Sequence, residues 1–140
     1  MKKLIFCLFA FFCFINVSCS KDDIDRVPDV PVNYSASLSF QLSKLNQIGG
    51  VEVINNASVG VAGLVLYNSG NGILAYDRCS TVNPIQRNPV FQINQTPLVE
   101  DKVSGGYFNL IDGSASKAPA TRPLKQYSVS INGDLLTVIN

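Results

Sequence analysis

The chain has 140 residues and contains no histidine and no tryptophan. Without imidazole there is no Ser-His-Asp triad, no Cys-His dyad, and no histidine-ligated zinc, haem or iron. Charge is sparse: 11 Lys and Arg stand against 10 Asp and Glu, a net charge of +1. So neutral a chain, with no basic cluster interleaved with aromatics, has no electrostatic footprint for nucleic acid. Long helical periodicity and internal repeats are also missing. Cysteine occurs only at Cys7, Cys13, Cys19 and Cys79.

What is present begins with an export segment. Lys2-Lys3 precede the apolar run Leu4–Ile15, which is too short to anchor a chain across a bilayer. Much of the 46% hydrophobic content and of the mean hydropathy of +0.20 sits there. The run closes on Asn16-Val17-Ser18-Cys19, which resembles the lipobox of bacterial lipoproteins, with small Ser18 before the cysteine and Asn16 where leucine is usual. The resemblance implies cleavage after Ser18, lipid on Cys19, and attachment to a membrane through that lipid. More than one acyl chain, at about 0.8 kcal/mol per buried methylene, holds stably. Ser20-Lys21-Asp22-Asp23 is similar to the export signal of surface-exposed lipoproteins of the Bacteroidetes. The expected location is therefore the outer membrane, on its periplasmic face or at the cell surface.

Removing residues 1–18 leaves nine Lys and Arg against ten Asp and Glu, a charge of −1. It also removes Cys7 and Cys13. With Cys19 acylated, Cys79 is the one thiol, and no internal disulfide can form. Residues 19–33 are expected to be the lipidated terminus and an acidic linker stiffened by Pro28 and Pro31. Residues 34–140 are expected to be the folded domain.

Within the domain the pattern is period two. Tyr34, Ala36, Leu38 and Phe40 alternate with serines, and a short helical turn is expected over Gln41–Ile48. Val51–Ile54, Leu64–Tyr67 and Ile73–Tyr76 are β-rich, the last two flanking a Gly-containing hairpin loop. Tyr127, Val129 and Ile131 alternate before Asn132-Gly133, which turns the chain into Leu135–Ile139. The class expected is mainly β, a small barrel or sandwich of short antiparallel strands. The strand-like spacing of Tyr34, Phe40, Tyr67, Tyr76 and Phe91 favours core positions over an exposed aromatic platform.

The second half of the chain carries a further resemblance. Gly105-Gly106-Tyr107-Phe108-Asn109-Leu110-Ile111-Asp112-Gly113 resembles the segment after the second cluster-binding box of Rieske domains. Ala118–Tyr127 looks like their Pro-containing loop, and Ile73–Cys79 is similar to the strand that enters the first box. The likeness covers roughly residues 49–140. It implies a Rieske-like fold and, for the family, a [2Fe–2S] cluster and electron transfer. Carried over position by position, the first box gives Cys79 and Thr81, with Thr81 where a histidine belongs. The second gives Asp101 in the cysteine position and Ser104 in the histidine position. One thiolate and no imidazole cannot ligate such a cluster, so no cofactor and no metal are expected.

Three roles follow. The first is a non-enzymatic lipoprotein whose domain has lost its iron–sulfur ligands and serves structure or an unknown protein partner. The second is Rieske-type electron transfer, as the family resemblance alone implies. The third is a thiol redox role for Cys79, alone or as a Cys79-linked dimer, with Arg78 as the group that would lower its pKa. A small buried hydrophobe is the simpler account of Cys79. Solvated loop polarity is the simpler account of Asp101 and Ser104, which as oxygen donors are too few for a cation site. Gly105, Gly106 and Gly113 are expected to supply positive-φ turns.

Overall fold

Period-two runs become strands where one face can be buried, and ten of them follow from Asn33 to Ile139 in the computed structural model. It describes residues 25–140; the export segment and Cys19 lie outside the described residues. Strands β1 (Asn33–Ser37), β2 (Val51–Ile54), β3 (Leu64–Asn68), β4 (Ile73–Asp77), β9 (Gln126–Asn132) and β10 (Leu135–Ile139) build one antiparallel sheet. Its order is β1-β10-β9-β4-β3-β2, and it curls into a half-barrel. Between β4 and β9 the chain inserts a four-stranded sheet of β5 (Val90–Gln92), β6 (Leu98–Asp101), β7 (Tyr107–Asn109) and β8 (Ala115–Lys117). The mainly β class is observed.

Local chemistry sets the register. In β10, Leu136 and Val138 are fully buried while Leu135 and Ile139 are exposed, the alternation expected of a half-buried strand. Gly133, at φ +59°, makes the tight β9–β10 turn at the predicted Asn-Gly. Asp134 then holds the end of β1: its carboxylate accepts hydrogen bonds from the Ser37 hydroxyl and from the Ser39 amide and hydroxyl. The first strand accordingly stops at Ser37. Phe40, placed by its spacing in a core strand, lies in the following turn and is 88% exposed. Phe91 is also partly exposed, whereas Tyr67 and Tyr76 are buried as expected. The helical turn forms as a 3₁₀ turn over Ser43–Asn46.

β3 does not alternate. Leu64, Val65, Leu66 and Tyr67 are all buried because both faces of the strand are covered. Leu64 and Leu66 face one core with Ala36, Leu42, Leu45, Tyr127, Leu136 and Val138. Val65 and Tyr67 face a second core with Tyr76, Val90, Val99, Phe108, Leu110 and Leu124. Fully burying each leucine contributes about 2 kcal/mol, so β3 ties the inserted sheet to the half-barrel.

Residues 25–32, counted with the linker by composition, lie against the domain. Val27 packs on Val61 and Cys79. The Lys125 ammonium donates to the Pro28 carbonyl and pairs with Asp29 at 2.7 Å, and Arg122 donates to the Asp25 carbonyl at 2.7 Å. Asn140 donates to Asp29 and to the Val30 carbonyl, tying the segment to the end of β10. Val27, Val30 and Val32, which alternate with the prolines, supply apolar contacts that charge counting overlooks.

Candidate functional site

Three loops converge at one end of the molecule: residues 80–88 after β4, residues 102–106 between β6 and β7, and residues 118–125 between β8 and β9. Of the four positions assigned to cluster ligands, Thr81 and Ser104 lie on the first two loops, and Cys79 and Asp101 stand where the chain enters them. The structure gives each a hydrogen-bonded role within the protein.

Cys79, two residues beyond the end of β4, forms an isolated bridge with Pro89 and is fully buried. Its thiol faces the carbonyl oxygens of Ser80 and Pro84, each at 3.6 Å. Burial, and then the nearby Asp77 carboxylate, push the thiol pKa up to about 12. The cation opposing that shift is Arg87, not the sequence neighbour Arg78. The Arg78 guanidinium turns away to donate to Asn55 and to the Val90 carbonyl, and it lies over the Phe91 ring.

Thr81 bridges two loops, its hydroxyl donating to the Arg122 carbonyl at 2.8 Å. Asp101 is fully buried, against the expectation of solvated loop polarity. Its carboxylate accepts the Val103 amide at 2.9 Å, the Ser104 amide at 3.3 Å and the Ser104 hydroxyl at 2.7 Å. Burial alone would raise its pKa; hydrogen bonding from the Ser80 and Ser104 side chains and from these amides outweighs burial and holds it below the ordinary carboxylate range. The Gly106 amide donates to the Ser104 hydroxyl, completing the turn.

Gly105 and Gly113 have φ of +76°, as expected of turn glycines, but Gly106 is not among the positive-φ residues. A Cβ there would stand 3.1 Å from both Ala120 and Val82, so close approach of the three loops, rather than φ, selects glycine.

Sequence reasoning missed Asp77, the buried carboxylate beneath the site. It accepts hydrogen bonds from the amides of Val61 (2.6 Å), Ala62 (3.2 Å) and Cys79 (2.7 Å) and from the Tyr127 hydroxyl (2.8 Å). Burial and then that hydrogen bond push the Tyr127 pKa well up. Gly60, at φ +72°, gives Asp77 room, since a Cβ there would come 2.6 Å from its carboxylate. The signal available was an acidic residue closing the apolar run Ile73–Tyr76.

A cleft of about 500 Å³ beside Thr81 is lined by Arg122, Leu124, Lys125 and the docked residues Asp25 and Val27. Its polar groups are mostly engaged with one another, and no acid–base pair stands free in it.

Comparison with solved structures places this architecture. The cyanobacterial plasma membrane Rieske protein from Synechocystis PCC 6803 matches with a TM-score of 0.53 at 21% identity, over 79% of this chain and 98% of that one. The fold is Rieske-like. The ferredoxin of carbazole 1,9a-dioxygenase from Nocardioides aromaticivorans (18% identity, TM-score 0.48) covers 79% of this chain and 97% of its own. The Sphingomonas yanoikuyae B1 ferredoxin (19% identity, TM-score 0.49) covers 69% and 93%. No protein-family model and no curated relative matches the chain.

A Rieske [2Fe–2S] centre requires two thiolates on one iron and two imidazoles on the other. At the positions that the sequence resemblance assigns to the ligands, the chain offers one buried thiol, two hydroxyls and a carboxylate already accepting hydrogen bonds. Among the described residues no group of three or more His, Cys, Asp or Glu could hold a metal ion. The residues present do not fit the cluster.

Proposed function

We infer that this chain is a lipoprotein, anchored in the outer membrane through Cys19, whose Rieske-fold domain works without an iron–sulfur cluster as a structural or partner-binding module. The observation that carries this reading is the hydrogen-bonded closure of the ligand positions: Thr81 onto Arg122, Ser104 onto Asp101, and the Cys79 thiol onto carbonyl oxygens. The Thr81–Arg122 bond joins the first loop to the third, and the Ser80 side chain, bonded to Asp101, joins the first to the second, while the Ser104 and Cys79 contacts close their own loops. The lipobox-like Asn16-Val17-Ser18-Cys19 supports the anchor. The Ser20-Lys21-Asp22-Asp23 stretch is compatible with either face, the periplasmic side or the cell surface.

Iron analysis and the visible spectrum of the purified mature protein test the reading. A folded, colourless and iron-free protein is expected. About two irons per chain with a visible charge-transfer band would overturn it.

A further inference from the structure

The docked segment fixes where the membrane anchor meets the domain. Asp25 is held by Arg122, and Val27, Pro28 and Asp29 are held by Val61, Cys79 and Lys125, so the chain enters the domain at the three-loop end. Only six peptide units separate Cys19 from Asp25. At their covalent limit they span about 20 Å, less than the roughly 35 Å diameter of a domain this size. The opposite end, with the β3–β4 hairpin at Asn71 and the β9–β10 hairpin at Gly133, therefore points away from an anchor this short.

The loop surface has chemistry of its own. Ile85 (65% exposed) and Val103 (71% exposed) stand out from the first and second loops with no apolar cover. Residues 25–29, 80–88, 102–106 and 118–125 hold five cations (Arg26, Arg87, Lys102, Arg122 and Lys125) against the exposed carboxylates of Asp25 and Asp29; Asp101, between them, is buried. Among the described residues Arg87 and Lys102 have no carboxylate partner, whereas Arg122 and Lys125 are paired. Two exposed aliphatic side chains flanked by cations without carboxylate partners, Lys102 resting over the Phe91 ring at 4.7 Å, suit an anionic headgroup surface, where the apolar groups enter the boundary and the cations meet phosphate.

We propose that the loop end carrying Ile85, Arg87, Lys102 and Val103 rests on the phospholipid headgroups of the membrane that holds the Cys19 anchor. The inference rests on the lipid-anchor reading, and its test separates the two. The full lipidated protein, carrying Val103→Cys or Asn71→Cys labelled with a fluorophore, is reconstituted into phosphatidylethanolamine–phosphatidylglycerol vesicles containing a headgroup nitroxide quencher; Cys79, being buried, stays in place. Quenching at position 103 is expected to exceed that at 71 several-fold, and the Arg87→Glu/Lys102→Glu variant should lose most of that excess. Labelling Ile85→Cys supplies a second probe of the same surface. Equal quenching at 103 and 71, or quenching indifferent to the charge reversal, in protein that still floats with the vesicles overturns the inference alone. Protein that fails to float overturns the anchor reading and the inference with it.

Discussion

Cys79 is the one cysteine among the described residues, and a redox role depends on its thiolate. Both requirements for reactivity are opposed here: the side chain is fully buried, and burial with Asp77 pushes its pKa up to about 12. Labelling of Cys79 in the folded protein, followed by peptide-resolved mass spectrometry, is expected to run at least about 100-fold slower than for an exposed cysteine. Fast labelling without denaturant would restore the thiol redox reading. Composition made Cys79 a candidate, but its chemistry depends on Asp77, Ser80 and Pro84, whose oxygens the fold brings to it. Asp77 was legible only as an acidic residue closing an apolar run, not as a shared acceptor. Three of its four donors come from Val61, Ala62 and Tyr127, and nothing in their order along the chain announces a shared carboxylate. Loss of that carboxylate would leave buried donors unsatisfied, at about 1–3 kcal/mol each.

At the scale of elements, the strands with clear periodicity or a tight turn were the readable ones. β2, β3, β4, β9 and β10 fall where alternation, apolar runs and Asn132-Gly133 put them. The strands β5 to β8 hold only three or four residues each. Such stretches show no periodicity by themselves, and the sequence placed no strands there. The docked segment 25–32 was hidden by its charge and prolines, which are also the composition of a free tether. Val27→Asp tests it: a carboxylate placed against Val61 and Cys79 should lower stability in urea by about 2 kcal/mol. It should also accelerate Cys79 labelling. Unchanged labelling would mean that the segment does not shield the thiol.

For the whole molecule, the absence of histidine has a thermodynamic consequence. No side chain of ordinary pKa titrates between about pH 5 and 8, so the melting temperature should be flat across that range. Asp29, Asp101, Asp112 and Asp134 have folded pKa values held below their ordinary value. Their contribution is present above the unfolded pKa, near 4, and is lost as pH falls through the folded values. Cys79 and Tyr76 are both pushed up to about 12, chiefly by burial. Their contribution is complete below the unfolded pKa and disappears as pH rises from about 9 through 12. Calorimetry should therefore give a plateau with an acid limb below pH 4 and an alkaline limb above pH 9. A transition near pH 6.5 would contradict this assignment.

Composition by itself determined that no imidazole-dependent chemistry is open to this chain, and periodicity determined that the domain is mainly β. Both are properties of residues taken singly or over one short run, so they survive without coordinates. Tertiary structure alone decided that Asp101 is a buried acceptor rather than solvated loop polarity, that Thr81 fastens the first loop to the third, and that residues 25–32 lie against the domain. Each of these depends on partners tens of residues away: Ser80 for Asp101, Arg122 for Thr81, and Lys125 and Asn140 for Asp29. A hydrogen bond or an apolar contact is defined by distance in space, and only the folding of the half-barrel around the inserted sheet brings those partners within reach.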